Sequence, residues 1–195
     1  GYIGRLSEEK GILNFLEGIK KIQRTDIDFV IYGDGALRED VESIVQELDA
    51  PIRISVNGWA TREDLPSILN DLRLLVIPSY TEGLPNIMLE SMACGTPVLA
   101  NRVGMIEDVI INDKTGYLME GNDADIIASG IVAALSHPQA HGVSIAAEEL
   151  VHERYSFDKK LKSWEQLMRP CKGRRSHIDD GKKTNGTNPP IQVKR

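Results

Sequence analysis

The hydrophobic period along this chain switches repeatedly between two and about 3.6 residues, and that switching restricts the fold more than any single motif does. Residues 2–5, 28–32, 52–56, 72–77, 98–100 and 116–118 form short apolar-rich runs. Between them, 11–22, 37–48, 62–70 and 86–94 carry apolar residues at helical spacing, with Ile12, Phe15, Leu16 and Ile19 on one face of the first helix. The second carries Leu37, Val41, Ile44, Val45 and Leu48 in the same way. A helix after each strand lets successive strands run parallel, and near-continuous apolar strands need cover on both faces. The predicted fold class is therefore α/β, a doubly wound parallel sheet. After residue 118 the pattern turns helical over 124–135, 139–153 and 157–168, the last containing Trp164.

A chain of 195 residues accommodates one good-sized domain with an appendage. The domain is predicted over 1–169, and 170–195, rich in Gly, Lys, Arg, Asn, Thr and Pro, is read as a disordered tail. Apolar content of 41% with 27% charged residues is that of a globular protein, and a net charge of −6 argues against a nucleic-acid partner. The basic cluster at Lys172, Arg174 and Arg175 is read as part of the solvated tail. Cys94, in an apolar stretch, and Cys171 suggest free thiols in a reducing, cytoplasmic setting. His137, His141, His152 and His177 lack neighbours at ligand spacing, so no metal site is expected. No apolar run reaches the roughly 18 residues of a membrane span. The chain opens on Gly1-Tyr2-Ile3-Gly4-Arg5, inside a predicted strand and without methionine, and reads as a fragment of a longer polypeptide.

In open α/β sheets ligands bind where strand carboxyl ends lead into helix N-termini, and four such places carry chemistry. Arg5 and Lys10 follow the first strand and suit a phosphate or diphosphate, although Lys10 could instead pair on the surface with Glu8 or Glu9. Gly33-Asp34-Gly35 follows the second strand as either a nucleotide loop or a tight turn. The dinucleotide fingerprint is incomplete, because Arg38 stands where glycine or alanine is required and the next strand does not end in an acid. Trp59, after the third strand, could face a nucleobase or pack in the core.

The fourth place is the run Glu82-Gly83-Leu84-Pro85-Asn86 through Glu90. Glu90 lies in the apolar stretch 87–94, where a buried carboxylate needs a partner from the protein or from a ligand. Pro85 suits a first helical turn, whose free N–H groups attract anions. Asn86 and Glu90, four apart, share a helix side, and Gly83 permits close approach by a ligand. Amides flanked by two carboxylates fit a polyhydroxylated phosphate ester.

These residues resemble, in order, the nucleotide-sugar-binding C-terminal half of the retaining glycosyltransferases of family 4 (group 1), which have the GT-B fold. The series comprises Gly4-Arg5-Leu6 with Glu9-Lys10-Gly11, then Gly33-Asp34-Gly35, Gly58, Pro78-Ser79, Glu82 through Pro97, and Thr115-Gly116-Tyr117-Leu118, and it covers about residues 2–168. The resemblance implies a Rossmann-like domain that binds a nucleoside-diphosphate sugar and uses neither metal nor cofactor. Arg5 and Lys10 would hold the diphosphate and offset leaving-group charge. Glu82 would contact the donor sugar and Glu90 the ribose, the backbone of Gly83, Leu84, Pro85 and Asn86 the sugar and phosphates, and the Gly33 and Trp59 loops the nucleotide. Arg5, Lys10 and Glu82 are thus the implied catalytic set. Val103-Gly104-Met105 departs from the family, where many members have a glycine pair. The acceptor-binding N-terminal domain of such enzymes has no counterpart in the chain. The resemblance implies that it would be the partner, would supply any peripheral membrane association, and that the domain alone would be inactive. The alternatives are a non-catalytic nucleotide-sugar-binding module or part of a GT-B epimerase or phosphorylase.

Overall fold

The computed structural model describes residues 1–48, 52–156, 159 and 161. The predicted helix 157–168 falls almost wholly, and the tail 170–195 entirely, outside the described residues. Among the described residues six strands are formed: β1 Tyr2–Ile3, β2 Asp28–Tyr32, β3 Arg53–Asn57, β4 Leu75–Ile77, β5 Val98–Asn101 and β6 Tyr117–Met119. The helices are α1 Ile12–Lys20, α2 Arg38–Gln46, α3 Leu65–Asp71, α4 Asn86–Ala93, α5 Ile106–Val109, α6 Ala124–Leu135 and α7 Ala140–Arg154. A 3-10 turn, Glu8–Lys10, precedes α1.

All strand pairs are parallel, in the orders β1-β2-β3 and β4-β5-β6. Gly1 joins the two groups: its carbonyl accepts the Val76 N–H at 2.8 Å and its amine donates to the Leu74 carbonyl at 2.7 Å. The resulting order is 3-2-1-4-5-6, with the reversal between β1 and β4.

Strand periodicity of two divides the core between the faces of this sheet. Val76 and Leu99 turn to one side with Phe15, Leu16, Ile19, Ile31, Ile127 and Ile131. Leu75, Ile77, Val98 and Ala100 turn to the other, with Met88, Met92, Ala147 and Val151. α1 packs on α6 over the first face and α4 on α7 over the second. The doubly wound α/β prediction therefore holds. The elements missed from sequence are the 3-10 turn and α5, each about one turn long and too short for a helical period to register.

Candidate functional site

The strand reversal opens a cleft of about 230 Å³ between the carboxyl ends of β1 and β4, lined by Tyr2, Gly4, Lys10, Ser79, Glu82 and Asn86 among others. Lys10 enters from the 3-10 turn after β1, and Glu82 from the loop after β4. They meet there, Lys10 Nζ lying 2.8 Å from Glu82 Oε1. The surface pairing of Lys10 with Glu8 or Glu9 is thus not formed: Lys10 pairs with Glu82, and Glu9 faces Arg5 at 3.7 Å. The Lys10 and Glu82 side chains are 29% and 10% exposed, so the pair is far less screened than one on the open surface.

Glu82 has a second donor. Ser79 Oγ also reaches Oε1, at 2.8 Å, and Ser79 is held by Asn101 Nδ2, which donates to its carbonyl at 3.0 Å. Tyr2 donates its hydroxyl to the Arg5 carbonyl at 2.6 Å. Burial, and secondarily the Glu82 charge, push the Tyr2 phenol well above its ordinary range, so it stays a neutral donor. The Arg5 side chain, 65% exposed, stands at the surface beside Glu9 and does not line the cleft.

Within the 82–90 run, Pro85 and Glu90 differ from the sequence expectation. Leu84 packs into the second core cluster, and a side chain at Gly83 would meet nothing within 4 Å. Pro85 is not in the first turn of α4 but caps it from outside, in extended conformation, its carbonyl accepting the Met88 N–H at 3.1 Å. Asn86 and Ile87, the first helical residues, line the cleft and have N–H groups without a helical acceptor. Glu90, contrary to the buried-carboxylate expectation, is exposed. Met88, Ser91 and Met92 take the buried positions of α4, and among the described residues the Glu90 carboxylate makes no hydrogen bond or ion pair. Its solvation needs no partner, so the anomaly read from the apolar run does not arise. Close by, burial and then the Glu90 and Glu148 charges raise the pKa of the Cys94 thiol.

Trp59 is 61% exposed, which rules out core packing. Gly33 donates its N–H to the Gly58 carbonyl at 3.1 Å, tying the end of β2 to the Trp59 loop. A Cβ at Gly33 would overlap the Gly4 carbonyl, so the close approach of these backbones by itself requires glycine there. Arg38 folds back to donate to the Gly33 carbonyl at 3.2 Å. Gly33, Trp59, Arg5 and Glu90 therefore do not line the cleft and do not join the Lys10–Glu82 cluster.

Asn101 does not figure in the sequence reading, and Ser79 and Gly104 figure there only as a member of the family series and as part of its departure, without a role. Gly104 has φ 59°, and a Cβ there would overlap the Glu82 carbonyl, while the next amide, Met105, donates to the Gly83 carbonyl at 2.9 Å. The loop that departs from the family pattern thus braces Glu82 from behind. A polar Asn ending the apolar β5 run was the one available signal for Asn101. Among the described residues no group of three or more His, Cys, Asp or Glu is placed to hold a metal, and no helix is long and apolar enough to cross a membrane.

The switch point of a reversed parallel sheet, here with an ion pair and open helix amides, is the place where open α/β sheets in general bind ligands. This chain belongs to the group 1 glycosyltransferases: the family model for glycosyl transferases group 1 matches residues 1–149. It is 30% identical to the lipopolysaccharide 1,2-N-acetylglucosaminetransferase of Salmonella typhimurium, over 86% of this chain and 47% of that protein. Among solved structures, a point mutant of S. aureus TarM in complex with UDP and other ligands superposes with TM-score 0.75 at 25% identity, covering 86% of this chain and 34% of that one. The C-terminal domain of the group 1 glycosyl transferase LpcC from Francisella tularensis superposes with TM-score 0.72 at 25% identity, covering 80% of this chain and 85% of that one. The structural neighbours are GT-B glycosyltransferases, and the fold is theirs. The chain spans less than half the length of the curated relatives it matches first.

Proposed function

We propose that this domain binds a nucleoside-diphosphate sugar in the β1–β4 cleft as the donor-binding, C-terminal half of a retaining, metal-independent family 4 glycosyltransferase acting in the cytoplasm. The observation that carries the reading is the convergence of Lys10, Glu82 and the first turn of α4 on one cleft. A cation and unpaired amides suit a diphosphate, and a carboxylate suits sugar hydroxyls. Lys10 sits within the cleft, and Arg5, swinging in from the surface, would join it to offset charge on the departing nucleoside diphosphate. Glu82 would accept hydroxyl hydrogen bonds from the donor sugar, and Glu90, on the exposed side of α4, from the ribose. The backbone of Gly83 through Asn86 would hold sugar and phosphates, and the Gly33 and Trp59 loops would flank the base. Binding of UDP by the TarM mutant, similar in fold and at 25% identity, supports this reading. The acceptor would be held by a domain outside residues 1–169, so this chain alone would retain donor without transferring its sugar.

The reading is tested by calorimetric titration of UDP-glucose, UDP-N-acetylglucosamine, GDP-mannose and ADP-glucose. At least one should bind in the micromolar to millimolar range, about −8 to −4 kcal/mol. Absence of binding to all four by folded protein would overturn the donor-site assignment.

A further inference from the structure

Glu82 is held through one of its two oxygens. Lys10 Nζ and Ser79 Oγ both donate to Oε1 at 2.8 Å, while Oε2 receives no donor among the described residues. The two donors differ in rigidity. Ser79 is 2% exposed, its carbonyl is fixed by Asn101, and the following amide, Tyr80, donates to the Glu9 carbonyl at 2.9 Å. Lys10 reaches Glu82 on a flexible four-carbon stem that remains 29% exposed. A diphosphate entering the cleft would compete with Glu82 for that ammonium. Once Lys10 is shared or drawn away, the Ser79 hydroxyl is the remaining donor that fixes the carboxylate.

We propose that Ser79 is the positioning residue for Glu82: its hydroxyl keeps Oε1 engaged, so that Oε2 is presented to a hydroxyl of the donor sugar while Lys10 serves the diphosphate. This rests on the donor-site reading above. Ser79 acts through Glu82 and not on the nucleotide, so its loss is felt in the sugar half of the ligand alone.

The test compares the best-binding of the four nucleotide sugars with its own nucleoside diphosphate, by calorimetry on this chain. Ser79→Ala should weaken the nucleotide sugar about tenfold and the nucleoside diphosphate less than twofold, a loss of the size expected for one hydrogen bond to a charged group. Ser79→Thr, which keeps a hydroxyl, should recover most of the loss. In a Glu82→Ala background, Ser79→Ala should change neither affinity. Equal weakening of both ligands, no weakening at all, or a full Ser79→Ala effect without Glu82 would overturn the proposal. Should the wild-type protein bind none of the four, the donor-site reading falls and the positioning claim is decided by crystal structures. A Glu82 carboxylate that turns away in Ser79→Ala upholds it, and one that keeps its rotamer overturns it.

Discussion

Replacing Lys10 by methionine keeps most of the stem and removes the ammonium, which isolates the contact on which the cleft depends. Breaking a fully buried ion pair from one side costs about 3–5 kcal/mol, whereas an exposed pair contributes about 0–1 kcal/mol. The Lys10–Glu82 pair lies between these limits, with 29% and 10% of the side chains exposed. Ser79 still donates to Oε1 after the substitution, so the carboxylate is not abandoned. The loss in Lys10→Met should therefore be about 1–2 kcal/mol, or about 2–8 °C in melting temperature for a chain of this size. Glu82→Ala should cost less on the Lys10 side, since a freed ammonium can turn to solvent. In that background Lys10→Met should cost close to nothing. Urea denaturation of the four proteins gives the coupling directly, and it should recover about 1–2 kcal/mol. If the single losses sum to the double within about 0.5 kcal/mol, the two side chains do not interact, and the switch-point cluster is wrong.

Glu90→Ala should leave stability within about 0.5 kcal/mol, because the side chain is exposed and unpartnered, while weakening nucleoside diphosphate about tenfold. Unchanged affinity by calorimetry would reduce Glu90 to solvated surface. Gly104→Ala places a Cβ against the Glu82 carbonyl at a left-handed φ and should cost about 1–3 kcal/mol, with an unaltered melting temperature as the refuting result. Arg24 hydrogen-bonds Asp26 and holds its carboxyl down to about 2. The folded value lies below the unfolded one, so the stabilisation is present above about pH 4 and is lost as pH falls through about 2. The melting difference between wild type and Arg24→Ala should accordingly narrow with acidification below pH ~4, and a difference independent of pH would refute the pairing.

The architecture was legible because it is written in short-range patterns. Leu75-Val76-Ile77 and Val98-Leu99-Ala100 are apolar at every position, so the two-sided burial of the sheet, Val76 and Leu99 on one face and the others opposite, could be read from unbroken apolar runs. The Lys10–Glu82 contact was not legible in that way. Both residues could be nominated, yet nearest-neighbour logic offered Lys10 a partner two residues away or adjacent. The actual partner lies 72 positions along the chain. That pairing depends on β1 lying beside β4, which is a property of strand order and is fixed through the backbone bonds of Gly1 to Leu74 and Val76. Ser79 enters the sequence reading only within the family series and Asn101 not at all: Ser79 meets Glu82 three residues on in the loop after β4, and Asn101 meets Ser79 from the end of β5, contacts set by side-chain geometry that no apolar period records.

Glu82 and Glu90 look alike as letters, and the fold separates them. Glu82 is sequestered, bonded twice through one oxygen and braced from behind by Gly104. It has already given up its rotamer freedom, so a ligand that meets it gains a fixed acceptor at little further entropic cost. Glu90 keeps its freedom on the open side of α4 and must surrender it on binding, at about 0.5–1.5 kcal/mol for such a side chain. A group set in place beforehand suits the part of a ligand whose orientation decides reaction, which in the proposed donor is the sugar. A mobile carboxylate suits a part that has only to be retained, such as the ribose. The division of labour proposed for the two acids matches their surroundings, and it predicts that losing Glu82 alters which sugar is preferred, while losing Glu90 weakens all nucleotides alike.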